Sequence, residues 1–207
     1  MEIKKLAHNA LNFGIDRFIE ILGITIVVIG ALLLISLVSF SPDDPNFIFP
    51  EETKIKNLLG FHGSFSSDLF FQSLGLIALL IPFSFILTGI NIILNKKIFL
   101  LIESNFFTIL YSLFGSLFFS IFYPHAFKLY INGNGGFIGK YLETTFFNSL
   151  ITFDSQISYY LLILLILILF LFSIQFKVGS FYNFLFLKKY LNFCFQRKKK
   201  IIQTKMK

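Results

Sequence analysis

The sequence contains little charge and almost no cysteine. Only 14% of its 207 residues are charged, whereas 56% are hydrophobic, and the mean hydropathy is +0.78. A chain of this length cannot bury so many apolar side chains in one soluble core. Cys194 is the single cysteine, which excludes an internal disulfide framework and a cysteine-based zinc site. The composition therefore predicts an integral membrane protein.

Charge is also missing from the middle of every long apolar run. Four such runs occur, at about 21–40, 69–94, 106–123 and 157–176. Each is close to or above the roughly 20 residues that a membrane-spanning helix needs. The first run is longer than the apolar part of a signal peptide and lacks a small-x-small cleavage site, so we interpret it as a retained span. These runs predict an all-α integral membrane protein with four transmembrane helices, formed by residues 1–176.

Basic residues are distributed unevenly around the four predicted spans. Of the 18 lysines and arginines, 14 lie in the N-terminal head, in the hairpin at Asn95 and in the tail from Lys177. The two remaining loops, 41–68 and 124–156, hold two each. Because cytoplasmic loops are enriched in lysine and arginine, this split predicts that both termini are cytoplasmic, an N-in/C-in topology.

The tail, residues 177–207, is basic and has no acidic residue. Phenylalanine and leucine alternate there with lysine and arginine, which predicts a cytoplasmic amphipathic juxtamembrane segment leading to a linker. Contact with anionic lipid explains this pattern, and contact with DNA is the alternative.

Several polar features of the two loops predict structure rather than chemistry. Gly60 and Gly63 indicate a turn, and Ser66, Ser67 or Asp68 is the expected N-cap of the second span. In the second loop, residues 141–151 mix apolar and polar side chains and are too short to cross a bilayer. They predict a short interfacial or re-entrant helix, entered through a glycine cluster.

Small residues suggest where the helices pack. Ser112, Ser116 and Ser120 recur every four residues in the third span, which predicts a close helix contact within one chain or between chains. Residues 114, 117 and 118 are then expected to face lipid or to be loosely packed. Pro82 is expected to kink the second span near its middle.

No pattern in the sequence predicts a catalytic, cofactor-binding or metal site. The segment 133–140 resembles a phosphate-binding loop, but Asn134 and Tyr141 stand where that motif needs glycine and serine or threonine. The adjacent Asp43 and Asp44 lack a third ligand at a useful spacing, so a turn and cap role is favoured. Mid-span charges, which usually mark an ion path, are absent. That absence disfavours the alternative function, a small four-span transporter or membrane-enzyme subunit.

Three ordered elements carry a family resemblance: residues 39–45, 57–82 and 135–139. The matching positions are Pro42, Asp44, Pro45, Asn57, Gly60, Gly63, Asp68, Gly75, Pro82, Gly135, Gly136 and Gly139. Together they resemble the N-terminal four-span membrane domain of the FtsK/SpoIIIE family of DNA translocases.

The resemblance implies a membrane anchor, septum-targeting and assembly domain of a protein that couples cell division to chromosome segregation. The expected location is the bacterial inner membrane, at the division septum. The implied partners are the lipid bilayer, further copies of the chain and septum proteins. An ATP-driven motor is expected beyond residue 207. ATP, Mg²⁺ and DNA would be bound by that motor, so these residues are not expected to form an enzyme.

Overall fold

The computed structural model describes residues 2–45, 54–124, 132–145, 151 and 154–176, with side chains from Leu11 onward. The predicted tail, 177–207, lies outside the described residues. The α-helices are α1 (Glu2–Val38), α2 (Gly60–Leu74), α3 (Ile81–Asn95), α4 (Phe99–Phe122), α5 (Gly136–Glu143) and α6 (Ser155–Ser173). A 3₁₀ helix, Gly75–Leu80, joins α2 to α3.

Four stretches are long and apolar enough to cross a membrane: Leu11–Val38, Gly60–Asn95, Phe99–Phe122 and Ser155–Ser173. The predicted all-α, four-span fold is therefore confirmed over the described ranges. The first three helical stretches begin earlier than the apolar runs did. Helices continue past the hydrocarbon edge, so residues such as Glu103 extend α4 without interrupting it.

The start of the second span differs from the prediction. The helix begins at Gly60, whose φ is +63°, so residues 66–68 lie inside α2 and none of them is the N-cap. The Ser67 hydroxyl donates to the Gly63 carbonyl one turn earlier, at 2.9 Å. The cap was placed wrongly because serine and aspartate also occur inside helices when their side chains are bonded.

The second span is interrupted before Pro82, whereas a kink at the proline was predicted. Gly75 has a φ of +73°, and the 3₁₀ segment from Gly75 to Leu80 follows it. Pro82 is then among the first residues of α3. Its missing N–H removes no hydrogen bond at that position. The glycine, rather than the proline, therefore breaks the helix.

Helices α1 and α3 approach each other closely through glycine. A Cβ atom on Gly89 would lie 2.7 Å from the Gly23 carbonyl oxygen, and one on Gly30 would lie 2.9 Å from the Ile86 side chain. Small residues allow this spacing, which replaces the hydrophobic drive that lipid removes. The main apolar core lies beside this contact and contains Leu33, Leu37, Phe71, Ile77, Ala78, Ile81 and Tyr111.

The face of α4 that was expected to meet lipid is instead largely buried. Leu117 is 2% exposed and Phe118 is 7% exposed, and Phe114 is partly buried against the same cluster. They pack with Leu162 of α6. The prediction was wrong because helical spacing shows which residues share a face and does not show which helix covers it.

Candidate functional site

The first cluster of family residues joins the end of α1 to the start of α2. The Asp44 carboxylate accepts hydrogen bonds from the backbone N–H groups of Lys56 and Asn57, both at 2.8 Å. Asp44 and Asn57 are both buried. We call the set Ser36, Asp44, Asn57, Gly63 and Ser64 the Asn57 junction. Its aspartate closes the loop by satisfying buried backbone donors, as the predicted turn role required.

Asn57 connects the loop to both helices. Its side-chain amide donates to the Ser36 carbonyl at 2.9 Å, and its Oδ1 accepts from the Leu59 N–H at 3.1 Å. A Cβ atom on Gly63 would lie 2.1 Å from that Oδ1, so the amide occupies the space a side chain would need. The Ser36 hydroxyl donates to the Gly63 carbonyl at 2.6 Å, which completes a tie between the two helices.

The charged groups beside this junction form a surface pair. Lys56 Nζ lies 2.7 Å from Asp43, and this hydrogen bond raises the pKa of Lys56 above its ordinary value. Because this pKa is raised, the stabilisation that is linked to the protonation of Lys56 is fully present at pH values below 10.5 and is lost as the pH rises further. Across the described ranges, no three histidine, cysteine or acidic side chains are placed to hold a metal ion.

In the second cluster, the residues at the break in the second span contact the loop that precedes α5. The Leu76 N–H donates to the Asn134 carbonyl at 2.9 Å. A Cβ atom on Gly75 would lie 1.9 Å from that carbonyl oxygen, and one on Gly136 would lie 2.6 Å from the Gly75 nitrogen. Both glycines have positive φ, +73° and +65°. We call Gly75, Asn134, Gly135, Gly136 and Gly139 the glycine junction.

Two serines of the α4 stripe, Ser116 and Ser120, lie against the glycine junction. The Ser116 hydroxyl donates to the Leu74 carbonyl at 2.8 Å. Cβ atoms on Gly135 and Gly139 would lie 2.5 and 2.3 Å from the Ser116 carbonyl oxygen. The Ser120 hydroxyl donates to Glu143 of α5. Ser116 and Ser120 thus make their contacts within the chain.

The glycine-rich segment 133–140 contacts protein backbone where a phosphate-binding loop would contact phosphate. The Asn134 side chain donates to the Tyr123 carbonyl, and the Asn134 carbonyl receives the Leu76 N–H. The space around Gly75 and Gly136 is smaller than one Cβ atom. The geometry therefore serves close packing of two loops on α4.

Paired hydroxyl groups link the helices between these ends, and sequence reasoning missed them. Ser84 pairs with Tyr111 at 3.0 Å, and Thr108 with Ser173 at 2.7 Å. Such hydrogen bonds hold helices together in lipid, where an unpaired hydroxyl is costly. The sequence does show serine and threonine residues inside its apolar runs. It does not show which residue of another helix each hydroxyl will pair with.

Acidic side chains of α1 meet a lysine at the opposite end of the bundle. Lys96 lies 3.1 Å from Glu20 and 3.5 Å from Asp16. The hydrogen bond that Lys96 donates to the Glu20 carboxylate is the main reason that the pKa of Lys96 is raised. Because Lys96 follows α3, this contact places the N-terminal part of α1 and the α3–α4 hairpin at the same end.

Four membrane-length helices with two buried junctions at one end define a multi-pass membrane domain. Residues 16–185 match the model of the 4TM region of DNA translocase FtsK/SpoIIIE. The chain belongs to this family, and the resemblance inferred from its three motifs is confirmed.

Two relatives with curated names are similar to part of the chain. The chain is 32% identical over 82 residues to "DNA translocase FtsK" of Rickettsia bellii, and 36% identical over 64 residues to that of Rickettsia typhi. These matches cover 38% and 31% of the chain but only 11% and 9% of the two relatives. The matched part is thus a small fraction of each relative's length. No solved structure matches the chain.

Proposed function

We propose that this chain is the membrane anchor and assembly domain of a DNA translocase that acts in chromosome segregation at the bacterial division septum. The observation that carries the proposal is the match of residues 16–185 to the 4TM region of this family, on a chain with four membrane-length helices. The named relatives are DNA translocases. In this proposal, ATP, Mg²⁺ and DNA are bound by a motor domain outside these residues.

The proposed topology has both termini in the cytoplasm of a bacterial inner membrane. The contact of Lys96 with Asp16 and Glu20 supports it, because the head and the hairpin share one end of the bundle. Arg17 and Lys97 belong to the same two basic segments. The positive-inside rule then assigns that end to the cytoplasm, and the two junctions to the other side.

The chemistry of the two junctions also supports an anchoring role. The Asp44 carboxylate and the Asn57 amide are buried and hydrogen-bonded to backbone groups. A Cβ atom added to Gly75 or Gly136 would overlap backbone atoms of the facing segment, so the space there is too small for a ligand. Groups bonded in this way hold helix ends in place, which is what a membrane platform for a motor requires.

Localisation of a fluorescent fusion to residues 1–207 tests this proposal. We expect the fusion to resist alkaline carbonate extraction and to concentrate at mid-cell in dividing bacteria. An Asn57→Ala fusion should still resist carbonate, because its apolar spans are unchanged, but should lose the mid-cell concentration in proportion to its misfolding. Asn95→Ala, at an exposed asparagine, should keep both properties. Carbonate extraction of the unaltered fusion would contradict the anchor. A uniform distribution in the membrane would contradict septum targeting alone.

A further inference from the structure

A groove on the side of the bundle lies between the second span and α4. It has a volume of about 420 Å³, and its walls include Phe70 and Phe85 on one side and Ile109 on the other. Three polar residues of α4 also line it, Asn105, Thr108 and Ser112, and the Thr108 hydroxyl is already paired with Ser173. We call this surface the α4 groove. It lies within two membrane-spanning stretches, so lipid or another helix must cover it.

Two polar groups of the α4 groove, those of Asn105 and Ser112, have no hydrogen-bond partner within the part of the chain that the structure describes. Ser112 is 4% exposed, and its hydroxyl has no hydrogen-bond partner among the described residues. Asn105 is half-buried two helical turns earlier on the same face, and none of the hydrogen bonds found between described residues involves its amide. Such groups are unfavourable in hydrocarbon until they find a partner.

The depth of these groups indicates what kind of partner fits. The 24 residues of α4 extend about 36 Å, so Ser112 lies near mid-membrane, whereas Asn105, only two residues after Glu103, lies near the edge of the hydrocarbon. Lipid esters and headgroups lie roughly 15 Å from the membrane centre. The acyl chains at the depth of Ser112 can neither donate nor accept a hydrogen bond. A transmembrane helix is therefore the fitting occupant.

Depth and chemistry together favour a second copy of this chain. Asn105 lies at the same depth in every copy, and its amide is both a donor and an acceptor, so two such amides can pair. A ridge of exposed side chains, Ile102, Phe106 and Ile109, lies beside the groove on α4. A two-fold axis normal to the membrane would place the ridge of each copy in the groove of the other.

We propose that the α4 groove binds the α4 ridge of a second copy, with the two Asn105 amides hydrogen-bonded to each other across the two-fold axis. This inference rests on the assembly role proposed above and identifies the surface that performs it. Ser112 then lies in the covered part of the contact, where a backbone carbonyl of the partner helix is the available acceptor.

Disulfide crosslinking of the full chain in membranes tests the interface. The background variant is Cys194→Ser, with Ile109→Cys on the ridge and, as control, Leu164→Cys on the exposed face of α6. We expect covalent dimers from Ile109→Cys well above those from Leu164→Cys. Adding Asn105→Leu should lower the dimer yield about threefold to tenfold, as expected for one interhelical hydrogen bond in a membrane. Asn105→Gln, which keeps a self-pairing amide, should retain most of it.

Equal crosslinking at Ile109→Cys and Leu164→Cys, or no effect of Asn105→Leu, would overturn the proposal. Measuring the mass of the detergent-solubilised chain separates this failure from that of the assembly role. Oligomers that do not crosslink through α4 contradict this interface only. A chain that is monomeric at every concentration contradicts both the interface and the assembly role, while membrane anchoring is judged separately by carbonate extraction.

Discussion

Asn57 shows how one residue can connect three segments of the chain. Its side chain bonds α1 through Ser36 and the loop through Leu59, while its backbone N–H is held by Asp44. A buried amide with several partners gives a small net stabilisation when it is complete, but its removal leaves the partners unsatisfied. Its contacts explain why a polar side chain is buried here, beside helices that are otherwise apolar.

Replacing Asn57 with alanine should therefore destabilise the domain. We expect a loss of about 2 kcal/mol, because the Ser36 carbonyl and the Leu59 N–H would be left without their partner. Asn95→Ala is the matched control. It removes an exposed amide that bonds only to its own helix at Asn91, so a change below about 0.5 kcal/mol is expected. Unfolding by SDS in mixed micelles measures both, and equal values would contradict the role of the Asn57 junction.

Alanine substitutions at three glycines distinguish the cost of a steric clash from the cost of an unfavourable backbone conformation. At Gly75, alanine meets both a positive φ and a carbonyl oxygen 1.9 Å away, so we expect a loss of about 3 kcal/mol or more. Gly60 has a positive φ and open space, which predicts about 1 kcal/mol. Gly14 lies in α1 with open space, so alanine should be neutral or stabilise by up to about 1 kcal/mol. The same unfolding assay ranks them, and a different order would contradict the glycine junction.

At the scale of single elements, α4 has buried contacts on two faces. Its serine face packs on the glycine junction, and its Leu117 face packs toward α6. The spacing of the three serines predicted a close contact, and the structure has one at Ser116 and Ser120. The spacing could not reveal that the contacting segment was the short α5, because that helix follows a loop of glycines with no strong periodicity of its own.

Both faces of α4 should therefore be sensitive to added bulk. Ser116→Leu and Leu117→Phe should each cost about 1–3 kcal/mol, because neither site has room for a larger side chain. Leu164→Phe, at an exposed position of α6, should cost little. Thermal aggregation in detergent, followed by size-exclusion chromatography, compares the three variants. A Leu117→Phe variant as stable as Leu164→Phe would show that the buried face is not formed.

The break in the second span shows where sequence reasoning stops. Gly75 and Pro82 were both visible in the sequence, and the proline was chosen because proline commonly kinks helices. The structure places the break at the glycine because the Asn134 carbonyl approaches it, a contact between residues far apart in the chain. Local propensity predicts that a helix will be disturbed, whereas the exact position depends on the tertiary partner.

At the scale of the whole molecule, the two ends of the bundle differ in chemistry. One end holds the ion pairs of Lys96 with α1, and the other holds the Asn57 junction and the glycine junction. Helix number and membrane character were predictable from long apolar runs and sparse charge. The pairing of helices was not, because in lipid it depends on glycine contacts and hydroxyl pairs whose partners are distant in sequence.

The topology of the four spans tests the central claim, an anchor with both termini in the cytoplasm, most directly. Alkaline phosphatase is active only outside the cytoplasm, so it reports the side of the membrane on which each fusion point lies. Fusions after Leu59 or Ile131 should be active, and fusions after Lys97 or Lys207 should be inactive. Blot detection of every fusion controls for its amount. An active fusion after Lys207, or an inactive one after Leu59 at equal amount, would contradict the account.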